Sequence, residues 1–254
     1  MKIITYNING IRAGLKKGLA SWIEDHDYDI ICFQETKAHP EQVDAGIFEH
    51  LGYYANWVSA EKKGYSGCLT LSKKKPSLVV QGMGVKKFDN EGRVLRTDFG
   101  KLTVLNCYFP SGSAGEHRQE IKMKFLKAFR PYSRKLLKEI PNMIIVGDYN
   151  IANHEIDIHN PKSNKKTPGF LPDERAWLTK MWGYGFNDAF RITNPELVEY
   201  SWWSIRSNAR AQNKGWRIDY QAVSDPIAPK IKSCNHLADV KHSDHCPVLL
   251  DINI

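Results

Sequence analysis

The sequence lacks the features of membrane, secreted and disulfide-bonded proteins. No apolar run approaches the roughly 20 residues that cross a bilayer. The apolar part of the N-terminus is too short for a signal peptide and has no small-residue cleavage site after it. The five cysteines are odd in number and form no C-x-x-C pair, which disfavours disulfides and zinc sites and indicates buried thiols in a reducing compartment. We therefore expect a cytoplasmic protein with no membrane partner, associated with the nucleoid if its source is bacterial.

Linkers, low-complexity tracts and tandem repeats of fixed period are also absent, so we expect residues 1–254 to form a single domain. Hydrophobic residues make up 42% of the chain and charged residues 25%, which is the composition of a globular protein able to bury a large core. Lys and Arg number 36 against 28 Asp and Glu, giving a net charge of +8. Because a basic surface attracts polyanions, nucleic acids or phosphorylated ligands are the expected partners.

Apolar runs and helical spacings are interspersed along the chain, which predicts an α+β fold built as a layered α/β sandwich. Strands are predicted at residues 2–8, 28–33, 55–59, 68–72, 78–81, 94–99, 101–109 and 143–146. Helices are predicted at residues 12–26, 43–51 and 116–140, and a further helix begins at Pro172. Pro131 is expected to kink or break the third helix near Phe129, and residues 154–168 are expected to form a basic surface loop.

Polar residues follow or adjoin apolar runs at five places. Residues 143–150 read M-I-I-V-G-D-Y-N, so Gly147 breaks a buried run and Asp148 and Asn150 follow at once. On its own, this segment fits a structural strand and polar turn as well as it fits a functional site. The other four places are Asn7, Glu35, Asp219, and Asp244 with His245. Since each side chain is anchored by the core and emerges at a sheet edge, the set predicts a functional site.

The residue types in this set indicate metal-assisted chemistry. Several carboxylates that are buried together are unfavourable without a counter-charge, which a divalent cation would supply. The ligands are oxygens, with no paired His or Cys at zinc spacing, so Mg²⁺ or Mn²⁺ is favoured over Zn²⁺. A metal beside a basic surface indicates phosphoryl chemistry, in which Asp219 could fix the tautomer of His245. Any one of these residues alone is more often a cap or turn residue.

Six motifs connect this pattern to a known family. In chain order they are N-I-N-G-I-R-A, Q-E-T-K, N-C-Y-F-P, G-D-Y-N-I-A, N-x-G-W-R-I-D-Y and S-D-H-C-P. From Met1 to about Ile252 the chain resembles the exonuclease III/AP endonuclease family of the deoxyribonuclease-I-like endonuclease/exonuclease/phosphatase superfamily. The resemblance implies two face-to-face, mostly antiparallel β-sheets flanked by helices. It also implies a monomer that cleaves double-stranded DNA 5′ to an abasic site with Mg²⁺, leaves a 3′-hydroxyl and processes 3′ ends.

The resemblance further implies roles for individual residues. The catalytic set is Tyr108, Asp148, Asn150, Asp219 and His245. The metal site comprises Glu35, with Asn7 close by, and Asp148, Asn150, Asp244 and His245. Whether Asp148 or His245 takes the proton of the attacking water, and whether one or two metal ions act, is left open. Asn9 stands where animal members of the family have Asp, which argues against a strong metal-ligand role at this position. Ser111 stands where many animal members have Asn, so one phosphate contact is expected to differ.

The residues around Asp219 also suggest how a lesion is selected. Trp202, Trp203, Trp216 and Ile218 supply apolar surface that would suit a base-less sugar flipped from the stack, although tryptophans are also ordinary core residues. The resemblance favours the pocket for Trp202 and Trp216, whereas Trp203 is expected in the core. Candidate phosphate contacts are Arg12, Lys37, Arg206 and Arg210.

Two other functions fit part of this pattern. An inositol-phosphate or lipid phosphodiesterase would share the metal site, but the tryptophans and the basic charge disfavour it. A DNA-binding module without catalysis is disfavoured by the intact catalytic set.

Overall fold

Two large β-sheets form the centre of the fold, with helices outside them. The computed structural model describes residues 1–44 and 46–254. The strands are β1 (Lys2–Asn7), β2 (Ile30–Gln34), β3 (Tyr54–Val58), β4 (Cys68–Ser72), β5 (Leu78–Gln81), β6 (Val94–Phe99), β7 (Leu102–Tyr108), β8 (Met143–Asp148), β9 (Phe186–Asp188), β10 (Trp202–Trp203), β11 (Gly215–Trp216), β12 (Asp219–Ser224), β13 (Ile231–His236) and β14 (Val248–Ile252). The α-helices are α1 (Ile11–Lys16), α2 (Leu19–Glu24), α3 (Gly46–His50), α4 (Lys86–Asp89), α5 (Glu116–Glu139), α6 (Pro172–Trp182) and α7 (Ala189–Thr193).

Each large sheet has six strands. The first has the order β13-β14-β1-β2-β4-β3, and the second has the order β5-β6-β7-β8-β12-β9. The β1–β2 and β7–β8 pairs are parallel, and the other pairs described in these sheets are antiparallel. The predicted architecture of two mostly antiparallel sheets flanked by helices is therefore confirmed.

The sheets pack face to face, and their central strands are buried on both sides. In β8, Ile144 and Val146 face the other sheet and contact its core residues, whereas Ile145 faces the aromatic residues of α5 and α6. Because successive side chains of a strand point to opposite faces, burial of both faces requires a continuous apolar run. The five cysteines are buried and free, as predicted. Among the described helices, none has the length and apolar character needed to span a bilayer.

Three predicted helical features differ from the structure. Residues 12–26 form two short helices, α1 and α2, because Gly18 adopts a left-handed conformation with φ of 90° between them. Pro131 does not break α5, which runs unbroken from Glu116 to Glu139. Its buried face, including Phe129, packs on the second sheet and offsets the helix-breaking effect of proline, which is roughly 3 kcal/mol. The helix α4 lies in a region predicted to contain strands and hairpins alone.

Gly147 does not end its strand, contrary to the prediction. β8 continues to Asp148, and Gly147 has a φ of 141° within it. A Cβ at this position would lie 1.8 Å from the carbonyl oxygen of Cys107 in β7, so only glycine allows the two strands to approach this closely. The strand therefore extends far enough to bring Asp148 to the edge of the sheet.

Candidate active site

Strand register brings three of the predicted site residues together. Asp148, the last residue of β8, lies opposite Tyr108 of β7 on one side and Asp219 of β12 on the other. The ends of β1 and β2 in the facing sheet add Asn7 and Glu35 to the same edge. The residues surround a cleft of about 270 Å³ lined by Glu35, Tyr108, Ser111, Ser113, Asp148, Asn150, Thr167, Pro168, Gly169, Trp202, Trp216, Ile218, Asp244 and His245.

Asp148 is held by donors on both carboxylate oxygens. Its Oδ1 accepts a hydrogen bond from the backbone N–H of Asn150 at 2.7 Å. Its Oδ2 accepts from Nδ2 of Asn150 at 3.1 Å and from Nδ2 of Asn7 at 2.9 Å. The chain folds back to make these contacts because Asn150 has a positive φ of 53°. The carboxylate and the carboxamide therefore have one defined orientation toward the cleft.

His245 is oriented by Asp219. Its Nδ1 donates to Oδ2 of Asp219 at 2.8 Å, which leaves Nε2 on the side of Asp148, 3.9 Å from its Oδ2. Burial opposes protonation of the imidazole, but the negative charges of Asp219 and Asp148 outweigh burial and raise the pKa of His245. Burial and the charge of Asp219 also raise the pKa of Asp148. The predicted Asp219–His245 contact is present in the structure.

Ser201 completes this contact and was missed by sequence reasoning. Its Oγ donates to Oδ2 of Asp219 at 2.6 Å and accepts from the backbone N–H groups of Ile218 and Asp219 at 3.0 and 3.1 Å. Ser201 is fully buried just before β10, far from Asp219 in sequence. No local pattern marks such a serine, although it adjoins the tryptophans that the sequence did single out.

Glu35 forms the opposite side of the cleft. One oxygen accepts from Nδ2 of Asn7 at 2.9 Å, and the other pairs with Nζ of Lys37 at 2.9 Å. Burial raises the pKa of this carboxyl group, but Lys37, Asn7 and Tyr108 outweigh it and lower the pKa below its usual value. Asn9, Glu35 and Lys37 all have positive φ, at 49°, 51° and 50°. Strained non-glycine residues cluster at functional sites, where the surrounding structure holds them in place.

Asn9 and Asp244 link this side to His245. Lys37 donates to the carboxamide oxygen of Asn9, whose Nδ2 donates to Oδ1 of Asp244 at 2.9 Å. The other oxygen of Asp244 accepts from the indole Nε1 of Trp202 at 3.0 Å. Asn9 therefore acts as a bridge in this structure.

The donor set fits a hard divalent cation. Asp148, Asp219 and His245 offer ligand atoms within 4.8 Å of one another, and Asn7 connects Asp148 to Glu35. Oxygens predominate among these atoms, as Mg²⁺ and Mn²⁺ prefer. One oxygen of Asp219 is committed to His245 and Ser201, and among the described residues its buried Oδ1 has no hydrogen-bond partner. A metal at this edge would therefore meet preformed oxygen ligands.

Aromatic and apolar side chains form one wall of the cleft. Trp202 and Trp216 pair across β10 and β11, with ring centroids 6.1 Å apart in an edge-to-face arrangement. They pack on a buried cluster that contains Ile218 and Phe170. Trp203 points away into the core, as predicted. Gly169, which sequence reasoning did not assign to the site, lines the same cleft and lies so close to Trp216 that a Cβ added to it would be 3.0 Å from the indole ring.

The predicted phosphate contacts lie in different places. Arg12 and Lys37 line a second, open cavity of about 700 Å³ beside α1, and Arg206 is exposed on the loop after β10. Arg210 instead donates to the backbone carbonyls of Ala238, Val240 and Ser243 and stacks on Trp203. Its guanidinium therefore stabilises the fold of the chain before His245.

Comparison with known proteins places this geometry in a family. A model described as "Endonuclease/Exonuclease/phosphatase family" matches residues 4–245. The chain belongs to this family. An exodeoxyribonuclease of Bacillus subtilis (strain 168) is 43% identical over 256 residues, and the alignment covers 100% of this chain and 100% of that protein. A DNA-(apurinic or apyrimidinic site) endonuclease of Dictyostelium discoideum is 38% identical over 259 residues, which cover 100% of this chain and 71% of that protein.

A solved structure agrees with these relatives. The AP endonuclease from Archaeoglobus fulgidus superposes with a TM-score of 0.92 at 27% identity, with 100% of both chains covered. The resemblance to exonuclease III and AP endonucleases inferred from the six motifs is therefore confirmed. The fold is that of a deoxyribonuclease-I-like nuclease.

Proposed function

We propose that this protein is an AP endonuclease of base-excision repair. It hydrolyses the phosphodiester 5′ to an abasic site in double-stranded DNA and leaves a 3′-hydroxyl, with some 3′-exonuclease or 3′-end-processing activity. The observation that carries this proposal is the position of Asp148, Asn150 and the Asp219–His245 pair at the base of a cleft with an aromatic wall. Its exodeoxyribonuclease and AP endonuclease relatives support the same conclusion.

The metal is proposed to be Mg²⁺, with Mn²⁺ as an alternative. Its ligands would come from Glu35, with Asn7 beside it, and from Asp148, Asn150 and Asp244. His245, which the resemblance also names as a ligand, has Nδ1 held by Asp219 and is assigned to the phosphate instead. When bound, the cation neutralises phosphate charge and polarises the P–O bond.

The remaining chemistry is assigned to residues of the chain. Asp148 and Asn150 orient the attacking water, because their side chains are fixed relative to each other and open on the cleft. His245 presents Nε2 to a phosphate oxygen while Asp219 holds Nδ1. Tyr108 lies beside Asp148, and burial and the charge of Glu35 raise its pKa, so that its hydroxyl stays protonated and can donate to the phosphate or the leaving oxygen.

Substrate selection is assigned to the aromatic wall. A cleft of about 270 Å³ admits a flipped sugar without its base, and Trp202, Trp216 and Ile218 offer that sugar an apolar surface. Arg12, Lys37 and Arg206 are proposed to contact DNA phosphates outside the cleft, where the net charge of +8 attracts the duplex. We propose that the protein acts as a monomer in the cytoplasm.

Cleavage of a defined duplex tests this function. A labelled duplex with one tetrahydrofuran abasic analogue should be nicked 5′ to the lesion with Mg²⁺ or Mn²⁺ and should stay intact in EDTA. An undamaged duplex and an inositol phosphate serve as alternative substrates. Glu35→Gln should raise the metal concentration needed for half-maximal cleavage, whereas Glu196→Gln, at an exposed position, should not. Failure of the wild-type protein to nick the lesion with metal present would exclude the proposed function.

A further inference from the structure

A buried ion pair lies behind the cleft. Lys122 comes from α5 and Glu174 from α6, and both side chains are fully excluded from solvent. Nζ of Lys122 donates to Oε1 of Glu174 at 2.5 Å. Neither residue lines the cleft, yet both hold backbone groups that belong to it.

Lys122 holds one side of the cleft. Its Nζ also donates to the backbone carbonyl of Asn150 at 2.7 Å. The side chain and the N–H of the same asparagine contact Asp148. The ammonium group therefore fixes the peptide that carries Asn150, whose positive φ would otherwise favour relaxation.

Glu174 holds the other side. Its Oε2 accepts from the backbone N–H groups of Gly169 and Leu171 at 2.6 and 3.0 Å. A Cβ on Gly169 would lie 3.0 Å from the ring of Trp216 and 3.2 Å from the carbonyl oxygen of Asn150. The loop is thus packed tightly between the tryptophan wall and the peptide that Lys122 holds.

Stability alone is a weak reason for this arrangement. A buried ion pair is often no more stabilising than apolar residues of similar volume, because both charges lose their hydration. Burial also lowers the pKa of Lys122 despite the opposing effect of Glu174, which reflects the same desolvation. What an apolar pair could not supply is hydrogen bonding to the Asn150 carbonyl and the Gly169 and Leu171 amides. The pair is therefore suited to setting geometry.

We propose that Lys122 and Glu174 are positioning residues that lock the water-orienting Asn150 and the sugar-binding wall at Gly169 in one relative geometry. This inference rests on the proposed function. Small displacements of reacting groups reduce rates by roughly 10- to 100-fold. Loss of the lysine contact should accordingly lower the rate of cleavage without weakening DNA binding.

Two variants separate positioning from stability. Glu174→Gln can keep its oxygen on the loop amides and leaves the lysine donor on Asn150. Its amide nitrogen then faces Lys122 and Gln119, so the buried ammonium loses both an acceptor and its counter-charge. Lys122→Met/Glu174→Gln removes both charges and also the donor to Asn150. We expect the double variant to be at least as stable as Glu174→Gln and yet to cleave roughly 10- to 100-fold more slowly than wild type in single turnover. Lys124→Met, an exposed position on α5, is the matched control.

The measurements are thermal unfolding, single-turnover cleavage of the abasic-analogue duplex with Mg²⁺, and affinity for that duplex in EDTA. Affinity of the double variant should stay within about twofold of wild type, because its loop contacts remain. A cleavage rate that follows stability across the variants, or a double variant with wild-type cleavage, overturns the proposal. Lys122→Met alone is measured as well; if none of the three variants folds, the pair is needed for stability and the positioning role is rejected.

The proposed function is tested separately in the same experiment. If wild-type protein does not nick the abasic duplex, that function fails. The variants are then compared with wild type by the rate at which each removes 3′ nucleotides from an undamaged duplex.

Discussion

Replacing Asp148 by asparagine tests the centre of the proposed site. The side chains have nearly the same shape, but Asp148 accepts three hydrogen bonds, from the backbone and side chain of Asn150 and from Asn7. Both carboxylate oxygens face donors, so the amide nitrogen of an asparagine must face at least one N–H group. The substitution therefore removes the charge and misorients Asn150 at the same time. Loss of such a positioned group lowers rates by about 10²- to 10⁴-fold.

Unlike the cleavage rate, the stability of the Asp148→Asn protein is not expected to fall much. Burial and the charges of Asp219 and Glu35 make ionised Asp148 unfavourable, so its removal offsets a lost hydrogen bond of about 0.5–1.5 kcal/mol. The free energy of unfolding from urea titration should therefore stay within about 1 kcal/mol of wild type, or rise. Single-turnover cleavage of an abasic duplex measures the rate, with the exposed Asp173→Asn as control. A rate close to wild type in a folded Asp148→Asn protein would refute the assignment.

Three further predictions concern lesion selection, the strand pairing and acid stability. Trp216→Ala should weaken binding of abasic duplex relative to undamaged duplex in a competition assay, because it removes part of the cleft wall. Gly147→Ala should lower the free energy of unfolding in urea by about 1–3 kcal/mol or more, since its Cβ would clash with the Cys107 carbonyl. Burial opposes ionisation of Asp157, but Arg217 outweighs it and lowers the pKa from 3.8 to about 2. The contribution of Asp157 to stability should thus be fully present above about pH 4, and about 2 kcal/mol of it should be lost as the pH drops through 2. In urea unfolding at these pH values, Asp157→Asn should lack this part of the pH dependence that wild type shows.

The sequence by itself determined the first eight strands, β1 to β8, and the polar residues that follow several apolar runs. Continuous apolar runs such as Met143–Val146 mark strands buried on both faces. Successive side chains of a strand point to opposite faces, so the burial of both faces can be read from consecutive residues. Polar residues that adjoin such strands, including Glu35, Asp148 and Asp219, are recognisable for the same reason. The six motifs added the family. The sequence also predicted a contact between Asp219 and His245, and the structure contains this hydrogen bond.

Only the tertiary structure decided how these residues meet. The alignment of Tyr108, Asp148 and Asp219 across three strands depends on register, which is set by packing between segments far apart in the chain. Ser201 and the Lys122–Glu174 pair join separate segments of the chain through side-chain hydrogen bonds, and no periodicity in the sequence marks such contacts. The continuation of the long helix through Pro131 has the same origin, because burial of a whole helix face outweighs one local preference.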